Sequence, residues 1–190
     1  FYRSHYHPSN AVFMTFGNIP VIELQSFFEE KALSQFDKRD DSIGVDIERR
    51  YDEPKRFVES YPETESKQRT HVIISWLLGE NTDLEMLLKC HLLSDVLLDT
   101  SASPLRKALE GSELGSAISP LSGLEETNRE MSFTCGLERS EQAHTEAIEA
   151  LIENTLKNIL RDGISVDRLE SVLHQLELSQ REIGGDGSPY

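Results

Sequence analysis

Between Arg129 and Leu137 the chain alternates without a break: Met131, Phe133, Cys135 and Leu137 fall on one side, Glu130, Ser132 and Thr134 on the other. Period-two alternation places successive side chains on opposite faces of an extended strand, so one face is built for a core and the other for water or a cavity. Such a strand is unstable alone; it needs neighbours to pair its backbone and an apolar layer to cover its face. The cover follows directly in the sequence. A helix over about Glu141 to Asp162 carries Ala147, Ile148, Leu151, Ile152, Leu156, Ile159 and Leu160 at helical spacing and stops at Gly163. A second begins at Ser165 as N-cap, turns Val166, Leu169, Val172, Leu173 and Leu176 inward and ends by Gly184-Gly185.

Upstream, Thr70 to Leu78 presents Val72, Ile74, Trp76 and Leu78 on one face, and Arg56 to Tyr61 reads as a shorter strand, joined to it by a polar, hairpin-like loop over Pro62 to Gln68. Thr82-Asp83-Leu84-Glu85 has the form of a capping box and opens a helix whose stripe is Leu84, Leu87, Leu88, Leu92 and Val96. Ser103-Pro104 caps a shorter helix that Gly111 stops. Strands followed by paired helices, without regular alternation, predict an α+β domain with an antiparallel sheet packed by helices on one face.

The first block is separate in composition. Pro8-Ser9-Asn10 turns into Ala11 to Phe16, apolar on both faces and predicted as a short interior strand; Gly17 to Pro20 ends it and starts a helix with Ile22, Phe27, Phe28, Leu33 and Phe36 on its buried stripe. Asp37 to Asp52 is mixed charge with little to bury. The expected organisation is a first unit over 1–36, a linker over 37–53 and a second domain over 54–190.

Charge narrows the function classes. Among 190 residues, 19 Lys and Arg face 34 Asp and Glu, a net charge of −15, which argues against nucleic acid because phosphate binding needs clustered cations. No apolar run approaches the roughly 18 residues of a membrane span, so no membrane partner is expected. The chain begins with Phe1 and shows no targeting segment, so we read it as a piece of a longer polypeptide and expect a bacterial cytoplasm. Cys90 and Cys135 lie in apolar patterns without metal or redox spacing and read as buried free thiols.

A search for reactive groups finds none. His5-x-His7 has no third ligand nearby. His174 and Glu177 share a helix face and begin an inverted zincin motif, but Leu178 stands where the second histidine is required, so a His₂Glu zinc sphere cannot assemble. There is no nucleophile elbow, and Gly184-Gly185-Asp186-Gly187 follows a helix rather than a strand, which disfavours a phosphate cradle. The expectation is no catalytic residue and no metal ligand; substrate-binding residues stay unassigned.

Six ordered blocks carry a resemblance: His5-Tyr6-His7-Pro8-Ser9-Asn10 with Gly17-Asn18-Ile19; Ser75-Trp76-Leu77-Leu78-Gly79; Ser103 to Leu109; Leu114-Gly115; Phe133 to Leu137; and Glu177 to Glu182. Together they resemble the pitrilysin/insulinase family of zinc metallopeptidases, closest to its presequence-protease-like branch. The resemblance implies a metallopeptidase α/β roll of the processing-peptidase kind, incomplete at its C-terminal end. The parent would be a four-domain clamshell that cuts unfolded peptides in a closed chamber, with zinc held upstream of Phe1 by a His-x-x-Glu-His motif and a distal glutamate. This chain would then be the tail of the catalytic domain, 1–36, and most of the non-catalytic second domain. Its implied partners are the other three domains and an unfolded peptide, and its role is that of chamber wall. The acidic charge would attract basic peptides, or serve solubility alone. Two other readings are a piece of a catalytically inactive paralogue acting as scaffold or partner subunit, and an unrelated α+β binding module.

Overall fold

The computed structural model describes residues 1–40, 43–62 and 70–181, which form two compact units, Phe1–Asp46 and Ile47–Tyr190. In the first unit a short helix α1 (Tyr2–His5) precedes helix α2 (Val21–Lys31). The interior strand predicted over Ala11 to Phe16 is not formed: those residues pair with no strand, and Val12, Met14 and Phe16 are 92, 90 and 97% exposed. The segment is apolar on both sides, but a strand also needs a ladder partner, and the described residues supply none. Only the alternate side chains find neighbours. Phe13 packs 5.1 Å from the Phe28 ring, and with Thr15, Val21, Leu24 and Leu33 it lines a cavity of about 440 Å³. The stripe predicted on α2 is largely bare for the same reason, with Ile22, Phe27 and Phe36 all exposed.

In the second unit the expected α+β architecture is present. Strand β4 (Glu130–Ser140) is central and antiparallel to all its neighbours: β1 (Thr70–Glu80) on one side, and β2 (Ala117–Ile118) and β3 (Gly123–Glu125) in succession on the other. The last two carry no sequence signature, since three residues or fewer among Gly, Ser and Pro leave no periodicity to detect. Four helices, α3 (Leu84–Leu98), α4 (Pro104–Glu110), α5 (Thr145–Asp162) and α6 (Val166–Arg181), follow in chain order around these strands. The core joins Val72, Phe133, Cys135 and Leu137 of the sheet to Leu97, Leu105, Leu109, Ile148 and Ile152 of α3, α4 and α5.

Several predicted details shift. The segment from Arg56 to Tyr61 is not a strand: Phe57, Val58 and Tyr61 are exposed, and the segment is held by a two-bond ion pair from Arg56 to Glu149 on α5. Of the connecting loop over Pro62 to Gln68, all but Pro62 lies outside the described residues, as does the predicted helix end at Gly184-Gly185. The N-cap of α3 is Asp83, which accepts from the Met86 amide at 3.1 Å, rather than Thr82. A carboxylate in that place also meets the positive end of the helix dipole. The side of α3 that enters the core carries Cys90, Ser94, Val96 and Leu97, so Leu84 and Leu88 of the predicted stripe face outward. On α5, Ile148 and Ile152 are buried as expected, whereas Ala147 and Leu160 are exposed; on α6, Val172 is buried while Val166 and Leu173 are exposed. Gly163 ends α5 at φ 74°, a left-handed geometry that glycine adopts without strain.

The β1–β4 ladder depends on one glycine. A Cβ on Gly136 would lie 2.0 Å from the Val72 carbonyl oxygen and 2.8 Å from the Ile73 Cα, both main chain. Gly136→Ala is therefore expected to cost about 3 kcal/mol or more, since neither backbone atom can move without breaking the ladder. Ile152→Ala, which opens a cavity with no clash, should cost about 2–5 kcal/mol. Thermal and urea unfolding would check both, and a Gly136→Ala protein as stable as the unsubstituted one would refute the packing argument.

Candidate functional site

With the core-facing side of the sheet packed, its other side is the surface a ligand would meet. Alternation puts Ile73, Ser75 and Leu77 of β1 beside Gly136, Thr134 and Ser132 of β4, each pair in register. Ile73 and Leu77 are 42 and 38% exposed, and Ser75 is exposed. The expectation that Glu130, Ser132 and Thr134 all face water needs correction. Thr134 is buried, because it is flanked by β1 and by Gly123 of β3 and its hydroxyl meets that of Ser75 at 2.8 Å. Ser132 is half-buried. The Glu130 carboxylate is engaged: it accepts from Arg50 Nη2 at 2.6 Å and from the Glu48 amide at 2.5 Å. Arg50 also donates to the Leu78 carbonyl at 2.8 Å, so residues 48–50 are fastened across the ends of β1 and β4. These bonds, the Arg50 side chain first, hold the Glu130 carboxyl below the usual carboxylate range.

The Ser119 hydroxyl and the His71 and His91 imidazoles are committed to structure. His71 Nε2 lies 2.6 Å from Ser119 Oγ, a nucleophile-and-base pairing that no sequence motif announced. Yet Ser119 is buried, its oxygen accepts the Leu121 amide at 3.1 Å, and its own amide is bonded to the Gly136 carbonyl, so it serves the turn after β2. His91 Nε2 meets Glu126 Oε2 at 2.7 Å and ties α3 to the β3–β4 connection. Among the described residues, no group of three or more His, Cys, Asp or Glu is placed to hold a metal ion.

The residues singled out from the sequence are dispersed. His5 stacks on Phe1 at 4.1 Å, and His7 Nδ1 accepts the Ser9 amide at 3.1 Å while its ring meets Phe36 edge-on, so the two imidazoles serve separate local contacts. Glu177 is occupied by Arg181 at 2.5 Å and His174 is exposed. Cys90 and Cys135 are both buried and free; burial pushes the Cys135 thiol up to about 12 and raises Cys90. Both are inert for nucleophilic work near neutral pH. No described helix is long and apolar enough to cross a membrane.

Comparison with known proteins shows what the chain is similar to. Residues 1–176 match the Peptidase M16 inactive domain. The chain belongs to that family. It is 35% identical over 187 residues to the mitochondrial presequence protease of Xenopus tropicalis, covering 95% of this chain and 18% of that protein. It is 33% identical over 187 residues to presequence protease 1, chloroplastic/mitochondrial, of Arabidopsis thaliana (96% and 17%), and 31% identical over 182 residues to the mitochondrial presequence protease of Schizosaccharomyces pombe (94% and 18%). The chain thus spans less than a fifth of the length of these relatives. A solved zinc protease chain from Bordetella pertussis is similar at 17% identity and TM-score 0.46, covering 59% of this chain and 61% of that one. The bacterial cytoplasm expected from the missing targeting segment is contradicted, since these relatives are eukaryotic and named for mitochondria or chloroplasts.

The Glu130 anchor has a testable sign. Because its carboxyl titrates lower in the folded protein than unfolded, its contribution is present above the ordinary glutamate range, about 4.3, and is lost as pH falls through the lowered value. The Glu48 amide resonance, followed by NMR during acidification, should shift with a midpoint below about 4.3. A midpoint at the ordinary value would contradict the anchor. Alkylation supplies a second check: Cys135 should resist iodoacetamide at pH 8 in the native protein and react in denaturant, and native labelling as fast as a free thiol would contradict its burial.

Proposed function

We propose that the parent polypeptide is a zinc-dependent metalloendopeptidase that degrades unfolded peptides in a closed chamber, and that this chain supplies wall and scaffold rather than chemistry. The observation that carries the reading is the family match, joined to a fold in which no group of three or more His, Cys, Asp or Glu among the described residues is placed to hold a metal ion. No donor set among the described residues fits a catalytic zinc, which takes three protein ligands and an open position. The zinc of the parent accordingly belongs to ligands in another part of the polypeptide, and no reaction step is assigned to residues of this chain.

The wall role follows from the sheet. Ile73, Ser75 and Leu77 form an exposed strip of mixed polarity on a strand backed by a packed core, which suits an extended peptide without demanding one sequence. The net charge of −15 adds long-range attraction for cationic peptides, an effect that salt screens. Names of the relatives place them in mitochondria or chloroplasts, and we assign the parent to such an organelle. A catalytically inactive paralogue is not favoured, because relatives that match over 94 to 96% of this chain are themselves named proteases. The first unit extends the proposal: residues 1–36 would complete the catalytic domain, whose sheet would supply the ladder partner that Ala11 to Phe16 lacks.

In the parent enzyme, Ser75→Arg and Leu77→Lys should raise KM for an unfolded cationic peptide several-fold and leave kcat within about twofold, since they alter encounter and seating but no reacting atom. Rising ionic strength should raise KM for the unsubstituted enzyme as well. Steady-state kinetics with and without a chelator would check this. Chelator-insensitive cleavage would contradict the zinc assignment, and an unchanged KM in both variants would contradict the wall.

A further inference from the structure

Helix α3 is apolar on more than its core side. Ten of its 15 positions are Leu, Met, Cys or Val, and those turned to the core account for only some of them. Leu84, Leu88 and Leu92, four residues apart, make a second stripe that continues to Asp95 and Asp99. Leu84 and Leu88 are 76 and 53% exposed. The stripe ends in a cleft of about 390 Å³ between α3 and α6, lined by Asp95, Asp99, Gln175, Leu176, Leu178 and Ser179; Leu178 on its rim is 55% exposed. The two carboxylates form no ion pair among the described residues. His91, the nearest imidazole on the helix, is bonded to Glu126, and Arg106 reaches the Asp99 main-chain oxygen while pairing with Glu110. Burial first, then Asp99 beside it, raises the Asp95 carboxyl above its ordinary range, and His91 opposes this only in part. A helix apolar all round is covered on both sides in a finished protein.

We propose that Leu84, Leu88 and Leu178, with the cleft lined by Asp95 and Asp99, pack against another domain of the same polypeptide, one that presents an apolar ridge and a lysine or arginine. Three observations choose this occupant. Most of the length of the relatives lies outside this chain, so further domains are at hand. A second copy would bring another −15 and two more acids to the same cleft, which like-charge repulsion opposes. And the surface lies on the helix side of the sheet, away from Ile73, Ser75 and Leu77, where peptide is proposed to run. The inference rests on the family's multidomain context and not on catalysis, so a parent without activity would still test it.

The test uses the full parent protein carrying Leu88→Cys or, as a control on α5, Leu160→Cys, a position 86% exposed and outside the surface. Labelling with a bulky maleimide, read by peptide mass spectrometry, should be at least tenfold slower at position 88 than at 160, independent of protein concentration and of added peptide. Equal rates would overturn the proposal. Protection lost on dilution would point to a second copy, and protection appearing only with an unfolded peptide would point to substrate; either result overturns it. For the cleft, Asp95→Asn with Asp99→Asn should lower the parent's Tm, because the incoming cation loses its partners. A Tm unchanged or raised would show repulsion relieved with no cation present and would overturn the lysine or arginine.

Discussion

The contact between β1 and β4 is what the rest of the second unit is hung on. It joins two 11-residue strands, 70–80 and 130–140, whose facing residues include Trp76 with Phe133 and Ile74 with Cys135. It also closes so tightly at Gly136 that no side chain fits between the backbones. Once it is formed, Val72, Phe133, Cys135 and Leu137 present a continuous apolar surface, and α3, α4 and α5 have something to bury their own leucines and isoleucines against. Polar groups around it are settled by the same geometry: Ser103 receives Arg168 from α6 at 2.7 Å, and Glu130 receives Arg50. A unit in which Ser119, Thr134, His71 and His91 are bonded in this way has rigidity to offer.

Where a segment's fate was decided by its own residues, the sequence was legible. The β4 alternation, the Ile148 and Ile152 stripe, the Ser103-Pro104 start and the stops at Gly111 and Gly163 could all be read because period and capping are local. Where the outcome depended on a partner, the reading failed in a consistent direction. Ala11 to Phe16 has the composition of an interior strand and finds no ladder; Arg56 to Tyr61 alternates and is held by an ion pair instead; Leu84 and Leu88 are spaced as a buried stripe and point away from the core. Hydrophobic pattern reports that a surface is to be covered, not by what. Cross-strand and cross-element pairs such as Ser75 with Thr134, His71 with Ser119 and Glu130 with Arg50 have no signature at all, since their members lie 59, 48 and 80 residues apart.

The same logic links structure to role. A chain matched to an inactive peptidase domain keeps apolar faces that its described residues leave uncovered and keeps acidic groups in excess, while its two thiols are buried and His71 and His91 are bonded within the fold. These are the properties of a part. In the proposed account the reactive metal sits elsewhere in the polypeptide, and this part fixes the geometry of the enclosure around it.

That division of labour is tested most directly by purifying residues 1–190 alone and offering them an unstructured peptide, with zinc and then with a chelator. The account predicts no hydrolysis under either condition and no zinc retained at one equivalent after dialysis. Cleavage by this chain that a chelator abolishes and added metal restores would contradict it.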